Sequence, residues 1–413
     1  MNDIKALKSK EKKPFHLSDG TINILSSVIS IIVGFIVGFI ILIILELTKA
    51  DSDISKSFSV MSDFVVYAFK DSGFFIKIFY NSAPLLLTGL SVGFAFKAGL
   101  FNIGATGQYM IGAYFAVVAA ILWSFPWWAA MFVAMIGGAI WGFIPGYFKA
   151  KFNINEVITT IMLNWAALSL VNLLLLNMPA IKTLPPYNRT DPIGYHNPSG
   201  LIPDFGLKEI LGTQYINISI FIAIFIAIII YIILEKTIFG YEVKACGYNK
   251  NASVYAGIKA KKTIILTMII AGGLSGIAGG IYYLAGTAQF AVQDKLPIMG
   301  FNGIPVALLA NSNPLGIIAS SIFIGYLQVG GQAFEGVYSS EMTNVILAII
   351  IYFSAFTLIV SQMIRNIIKK KHRGNKTGSN DKGIIDKKLE PNNNPPDKKQ
   401  KKGSQENKME VSK

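Results

Sequence analysis

One cysteine, three histidines and 15% charged residues are the scarcities of this 413-residue chain. Cys246 stands alone, so no intrachain disulfide and no multi-cysteine metal or iron–sulfur site is possible. His16, His196 and His372 all lie in polar segments outside the hydrophobic runs, which removes the usual ligands of a buried metal or haem. No G-x-x-x-x-G-K-[ST] occurs, so the chain lacks a backbone cradle for nucleotide phosphates. The apolar runs carry no clustered His or Asp and no Ser/Lys pair at depth, which argues against an intramembrane enzyme. They are also nearly free of charge, which argues against a sodium- or proton-coupled transporter.

What is abundant is apolar: 53% hydrophobic residues, 38 Gly and 28 Phe, with a mean hydropathy of +0.51. A soluble enzyme is nearly excluded. A bilayer core takes roughly 20 apolar helical residues to cross, and runs of that kind predict an all-α polytopic membrane protein with about ten transmembrane helices. They fall near 22–45, 75–96, 104–124, 127–148, 156–177, 216–234, 263–285, 297–311, 314–333 and 343–364. The first is too long for a signal h-region and has no small-x-small site after it, so it is read as an anchor.

Basic residues favour the cytoplasmic side. With both tails inside, 29 of the 37 Lys and Arg residues are cytoplasmic, 15 of them in 365–413. The run 297–311 is short enough to be re-entrant, but that reading would put the basic C-tail outside. The expected order is therefore an N-in cytoplasmic tail (1–20), a membrane domain (21–366) and a disordered basic C-in tail (367–413). The net charge of +14 is then mostly topology and contact with anionic lipid, not nucleic-acid binding.

Small residues at every fourth position mark close helix contacts in lipid. Gly138, Gly142 and Gly146 form one ridge, Gly272, Gly276 and Gly280 another, and Gly34 with Gly38 a shorter one. Glu156, Thr160, Asn164 and Asn172 share one helical face that cannot meet lipid. Glu156 is open to two readings, a functional carboxylate or a first-turn acid complementing the helix dipole. Ser321, Gly325, Gln328 and Gln332 make a second, uncharged stripe. Both stripes suit a path for a polar, uncharged solute. Between spans, residues 179–214 form a long Pro-rich external loop, read as a docking surface. Residues 235–262 predict two short cytoplasmic helices, one from about Tyr241 to Gly247 and one from an Asn cap near Asn249 or Asn251 to Gly257.

Several stretches together resemble the permease subunits of bacterial ABC importers, in the branch serving branched-chain amino acids, simple sugars and nucleosides. They are Gly99 to Gln108, Asn155 to Asn164, the elbow Gly240 to Ile258, and Gly300 to Leu309. The N-E-V-I-T-T-I-M-L-N run and the Pro-rich loop look most like the nucleoside-type permeases, with a sugar or branched-chain amino-acid permease as the alternative. The chain departs from that pattern at Thr106, where Glu is usual, at Ala310-Asn311-Ser312, where Gly-Arg-Asn is usual, and at Lys244, where Arg is usual.

The resemblance implies the ABC importer permease fold with internal pseudo-symmetry, spans two to five pairing with seven to ten. It also implies residence in the bacterial cytoplasmic membrane. It implies partners: an ABC-type ATPase that binds ATP and Mg in place of any cofactor here, a second permease chain in a heterodimer, and an external substrate-binding lipoprotein. Candidate path or gate residues are Asn102, Gln108, Glu156, Thr160, Asn164 and Asn302. Candidate coupling residues are Gly240, Glu242, Lys244, Gly247, Asn249, Gly257 and Ile258.

Overall fold

The computed structural model describes residues 19–48, 53–177, 188–334, 337–357 and 359–368. The N-tail to residue 18, loop residues 178–187 with Pro179, Pro185 and Pro186, and the basic tail from 369 lie outside the described residues. The described residues up to Gln362 form one compact unit; of the remainder only 363–368 are described, and they are helical.

Among the described residues the chain is helical, with one isolated bridge between Arg189 and Ala291. In order the helices are α1 (Asp19–Leu47), α2 (Ile54–Val66), α3 (Ser72–Lys97), α4 (Ala105–Ile121), α5 (Trp127–Phe152), α6 (Glu156–Asn177), α7 (Ile193–His196) and α8 (Leu207–Leu211). Then come α9 (Ser219–Lys236), α10 (Ile238–Tyr248), α11 (Lys250–Tyr255), α12 (Ala260–Leu284), α13 (Ile298–Phe301), α14 (Gly303–Leu309), α15 (Pro314–Gly330) and α16 (Ser340–Ser354). Their ends follow local chemistry. Asn153, at φ +53°, ends α5 in the left-handed region. Asn313 caps α15 by accepting from the Leu315 N–H at 3.0 Å, with Pro314 at the first helical position, where a missing N–H costs nothing.

Among the described residues eight helices are long and apolar enough to cross a membrane. They coincide with eight of the ten expected spans; the other two fall on shorter helices. α4 has 17 residues, about 25 Å of helix. The run 297–311 is not one helix but α13 and α14, of four and seven residues. α2 was not expected at all; it lies along α1, with Phe58 edge-on to Phe39 and Phe64 to Phe35.

The glycine ridges of α5 and α12 face each other. A β-carbon on Gly138 would stand 2.7 Å from the Gly276 Cα, and one on Gly272 would stand 2.9 Å from the Gly142 Cα. The backbones touch with no side chain between them. α4 joins the same contact through Gly112, whose β-carbon would be 2.7 Å from the Gly276 carbonyl carbon. The shorter ridge of α1 packs on α16, where β-carbons on Gly34 and Gly38 would meet Ser354 and Ile350.

Helix pairing repeats within the chain. α3 packs on α15 and α14, as α12 packs on α5 and α4; α6 contacts α4, as α16 contacts α14. Exchanging α3–α6 with α12–α16 thus maps these contacts onto one another.

Tertiary contacts sort the segment ends into two groups. At one end the Ser27 hydroxyl donates to the Leu309 carbonyl at 3.0 Å, Gly99 abuts Gly247, and Lys149 pairs with Glu156 at 2.8 Å. At the other, Asn172 bonds Gln293, the Ile202 N–H donates to the Leu284 carbonyl at 2.9 Å, and Tyr338 donates to Glu46 at 3.0 Å. The stretch from Gln293 to Leu309 therefore runs from one end of the bundle to the other although only its latter half is helical.

The ridge contact predicts a graded mutational response. Gly138→Val or Gly276→Val forces a branched side chain against backbone and should cost about 3 kcal/mol, read as a lower thermal midpoint in detergent. Gly273→Ala on the same helix meets only the movable Met135 side chain at 3.2 Å and should be neutral or stabilising, because Ala favours helix by about 1 kcal/mol over Gly.

Candidate solute path and coupling elbow

Two non-helical stretches are tied to α6, 98–104 before α4 and 285–297 before α13. Buried peptide groups without a partner are costly, so each stretch needs partners from its neighbours. α6 supplies them. Gly104 caps α4 without a side chain, and Asn164 takes over the role: its Oδ1 accepts from the Gly107 N–H at 2.8 Å while its Nδ2 donates to the Ile103 carbonyl at 3.0 Å. Eight residues further along the same face, Asn172 donates to the Gln293 carbonyl at 2.8 Å and accepts the Gln293 N–H at 3.1 Å.

The turn 98–104 is also tied internally. Asn102 donates to the Gln108 Oε1 at 2.9 Å and to Ser91 at 3.2 Å, and Gln108 donates back to Asn102 at 3.2 Å. All three side chains are buried. After the second stretch comes the same Phe-Asn pair, Phe301-Asn302 against Phe101-Asn102. The two starts meet: a β-carbon on Gly300 would be 2.8 Å from the Thr106 Cβ. Thr106 is buried, and its hydroxyl has no hydrogen-bond partner among the described residues.

Beside Asn302 opens a cavity of about 790 Å³. Tyr109, Tyr282 and Tyr283 form its aromatic part, and Gln293, Asn302, Gln328, Gln332 and Asn344 bring amides to it. Pro297, at the end of the unwound stretch, and Ile298 and Met299 of α13 supply one wall, and among the described residues no acidic or basic side chain lines it. Thr343, only 5% exposed, also lines the cavity, with a hydroxyl that finds no partner among the described residues. Aromatic faces, amide donors and acceptors, and one unpartnered hydroxyl form a lining for an uncharged, planar, hydrogen-bonding solute.

The elbow is a pair of helices, α10 and α11. Thr237 caps α10 by accepting from the Gly240 N–H at 3.1 Å, and Asn249 caps α11 by accepting from the Ala252 N–H at 3.0 Å. α10 therefore begins three residues before the expected Tyr241 and runs one past Gly247. Gly257, at φ +86° with open space around it, lets the chain turn from α11 into α12, and the Ile258 N–H closes the turn on the Ser253 carbonyl at 3.0 Å. Gly240 and Gly247 permit close seating: β-carbons there would be 2.6 Å from the Leu234 carbonyl carbon and 3.0 Å from the Gly99 nitrogen. Lys244 pairs with Glu235 at 2.9 Å, and Glu242 accepts from the Thr263 hydroxyl at 3.4 Å. The outward face carries Ile238, Tyr248 and Tyr255, the tyrosines more than 90% exposed.

Of the six residues read from sequence as path or gate, only Asn302 lines the cavity. Asn102, Gln108, Thr160 and Asn164 are buried around the first turn, and Glu156 is paired with Lys149 at the end of α6. The seven coupling residues are together in the elbow. From the second stripe Gln328 and Gln332 reach the cavity, while Ser321 is buried and Gly325 packs on Ser82. Sequence reasoning passed over the cavity tyrosines, Gln293, Thr343 and the elbow tyrosines. Tyr282-Tyr283, at the end of the glycine ridge of α12, was the available signal.

The comparisons with known proteins agree with this architecture. The chain is 32% identical over 312 residues to the guanosine ABC transporter permease protein NupP of Bacillus subtilis (strain 168), covering 73% of this chain and 87% of that protein. It is 35% identical over 290 residues to the nucleoside ABC transporter permease protein NupB of Lactococcus lactis subsp. cremoris (strain MG1363), covering 68% and 79%. A second Bacillus subtilis protein, the guanosine ABC transporter permease protein NupQ, is 27% identical over 256 residues, covering 60% and 78%. No solved structure matches the chain. Residues 74–355 match the family described as "Branched-chain amino acid transport system / permease component", and this chain, an integral membrane protein and a transport subunit, belongs to that family.

Proposed function

We propose that this chain carries nucleosides across the bacterial cytoplasmic membrane as one permease of an ABC importer. The observation that carries the reading is the cavity, lined by tyrosines and amides, with no acidic or basic group among the described residues that line it. A nucleoside offers a flat base for the rings and hydrogen-bonding edges for the amides, and it carries no charge. The similarity to guanosine and nucleoside permeases points the same way.

In this reading Asn302, Gln328, Gln332 and the tyrosines contact solute. Asn102, Gln108, Thr160 and Asn164 act at one remove, holding the first turn beside it, and Glu156 holds the end of α6 to α5. Two differently named guanosine permeases of Bacillus subtilis both match this chain, which supports a second, distinct permease as partner. The remaining partners are an ATPase that binds ATP and Mg and seats the elbow, and an external substrate-binding lipoprotein. The docking surface for that lipoprotein is the external loop 179–214, described from residue 188. Ten crossings with both termini inside are supported by the passage of 293–309 between the two ends of the bundle, and by the basic residues Lys97, Lys149 and Lys244 at the elbow end.

Uptake into cells carrying the complete importer tests the solute. Unlabelled guanosine or adenosine should compete, while ribose, glucose, leucine and nucleoside monophosphates should not; competition by a sugar or leucine alone would overturn the assignment. Gln332→Ala, removing an amide that lines the path, should raise KM about tenfold with the protein level unchanged.

Asn164→Leu orphans a buried N–H and a buried C=O, and should lower stability by about 2–4 kcal/mol. The thermal midpoint in detergent should fall while KM of the surviving protein stays within about twofold of wild type. A large KM change at normal stability would make Asn164 a solute contact instead.

Gly247→Val pushes α10 off the Lys97–Gly99 backbone. Transport and solute-stimulated ATP hydrolysis by the assembled complex should fall together. Loss of transport at normal stimulated hydrolysis would contradict the coupling role of the elbow.

A further inference from the structure

A second pocket lies far from the cavity in composition. A crevice of about 290 Å³ opens between α3 and α9, walled by Ile76, Phe79 and Tyr80 on one side and Ile220, Phe221 and Ile224 on the other. Such a wall facing hydrocarbon would ordinarily be filled by whatever acyl chains pass. Two polar groups make this one different.

Asn217 lines the crevice and is only 9% exposed. Its Oδ1 accepts from the Ser219 N–H at 2.9 Å, but its Nδ2 is buried without an acceptor among the described residues. An amide N–H left this way at the end of a membrane helix is costly, and a ligand bringing an acceptor relieves it. Lys77, one turn before Tyr80 on α3, holds its Nζ 4.9 Å above the centre of the Tyr215 ring, itself part of the crevice lining. No acidic side chain pairs with Lys77 among the described residues. A ring face leaves ammonium N–H donors free for an anion.

An apolar slot, a donor lacking an acceptor and a cation lacking an anion, in that company near the starts of two membrane helices, match one chemistry. We propose that the crevice binds a glycerophospholipid of net negative charge: an acyl chain between α3 and α9, an ester carbonyl accepting from Asn217 Nδ2, and the phosphate beside Lys77. A plain hydrocarbon would leave both polar groups unanswered, and a free phosphate would leave the slot empty. The lipid ties the segment leading into α9, and so the elbow that follows it, to α3. This site stands independently of the solute.

The full-length chain in nanodiscs of dioleoyl phosphatidylglycerol, or of the phosphatidylcholine with the same chains, provides the test by native mass spectrometry under increasing collisional activation. The wild type should keep one phosphatidylglycerol after the others are stripped, and keep phosphatidylcholine about fivefold less, the weight of one lysine near an anionic headgroup. Lys77→Ala should abolish that preference. Asn217→Leu should reduce retention of both lipids about fivefold. Ile224→Trp, which fills the slot without touching either polar group, should do the same if Asn217→Leu fails to fold. Equal retention by wild type and Ile224→Trp, or no preference for phosphatidylglycerol in the wild type, would overturn the proposal. So would photo-crosslinking of an acyl-chain probe that leaves the peptides of α3, α9 and α15 around Ile322 unlabelled.

Discussion

A buried peptide group must find its hydrogen-bond partner within the protein, and two breaks in the helical backbone stand under that constraint. The first break, at 98–104, would expose the start of α4; the second, at 285–297, links α12 to α13. Both are answered from α6, by Asn164 and by Asn172, each of which meets one backbone donor and one backbone acceptor. An amide side chain is the natural choice because it donates and accepts without bringing charge. The connector of the external segment adds to the second answer, with the Thr190 N–H donating to the Phe290 carbonyl at 2.8 Å and the Val292 N–H to the Asn188 carbonyl at 3.0 Å.

The breaks sit at related places in the two halves of the chain. α3 is followed by a turn and the 17-residue α4, whereas α12 is followed by a longer unwound stretch and only seven residues of α14. A full helix in the second half would occupy the volume that the unwound stretch leaves beside Tyr282, Gln328 and Asn344. The cavity is thus the place where one half departs from the other. Discontinuous helices near the interface of internal repeats are where transporters commonly bind solute, since unwound backbone is tolerated only when it is buried or lines a cavity.

Much of the frame was legible from hydropathy alone, because crossing length and glycine spacing are properties of single segments. Gly138 and Gly272 announced close contacts, although only the structure paired their ridges with each other. The elbow was legible from Asn249 and Gly257, a cap and a left-handed turn that sequence states directly. α2 was not, because 13 residues of mixed polarity carry neither a full span nor a strong period; its place is set by the aromatic contacts of Phe58 and Phe64 with α1. The role of Asn164 was half legible. Its face was known to avoid lipid, but a polar stripe reads the same whether it borders a solute path or satisfies broken backbone. The distinction depends on residues 57 and 61 positions away, Gly107 and Ile103, which no periodicity reveals. The cavity tyrosines were hidden for a related reason: an aromatic at the end of an apolar helix looks like an interfacial anchor until its neighbours are known.

The same contacts bear on how a push on the elbow would reach the solute. Gly247 rests on the Lys97–Gly99 backbone, the turn that begins there is held rigid by Asn102, Gln108 and Asn164, and its far end delivers Thr106 against Gly300, two residues from Asn302 in the cavity wall. Each step is backbone against backbone or a buried hydrogen bond, so little of a displacement would be absorbed by flexible side chains. The glycines at either end of this path have a second consequence. With no side chain to interlock, Gly247 and Gly300 leave the contact free to slide, and a bundle that alternated between two arrangements would need contacts of that kind. Thr106, small, buried and without a hydrogen-bond partner among the described residues, lies at the one step where the two halves touch. A partner for its hydroxyl in the other arrangement would bias the equilibrium between the two, since only an interaction that differs between states shifts their populations.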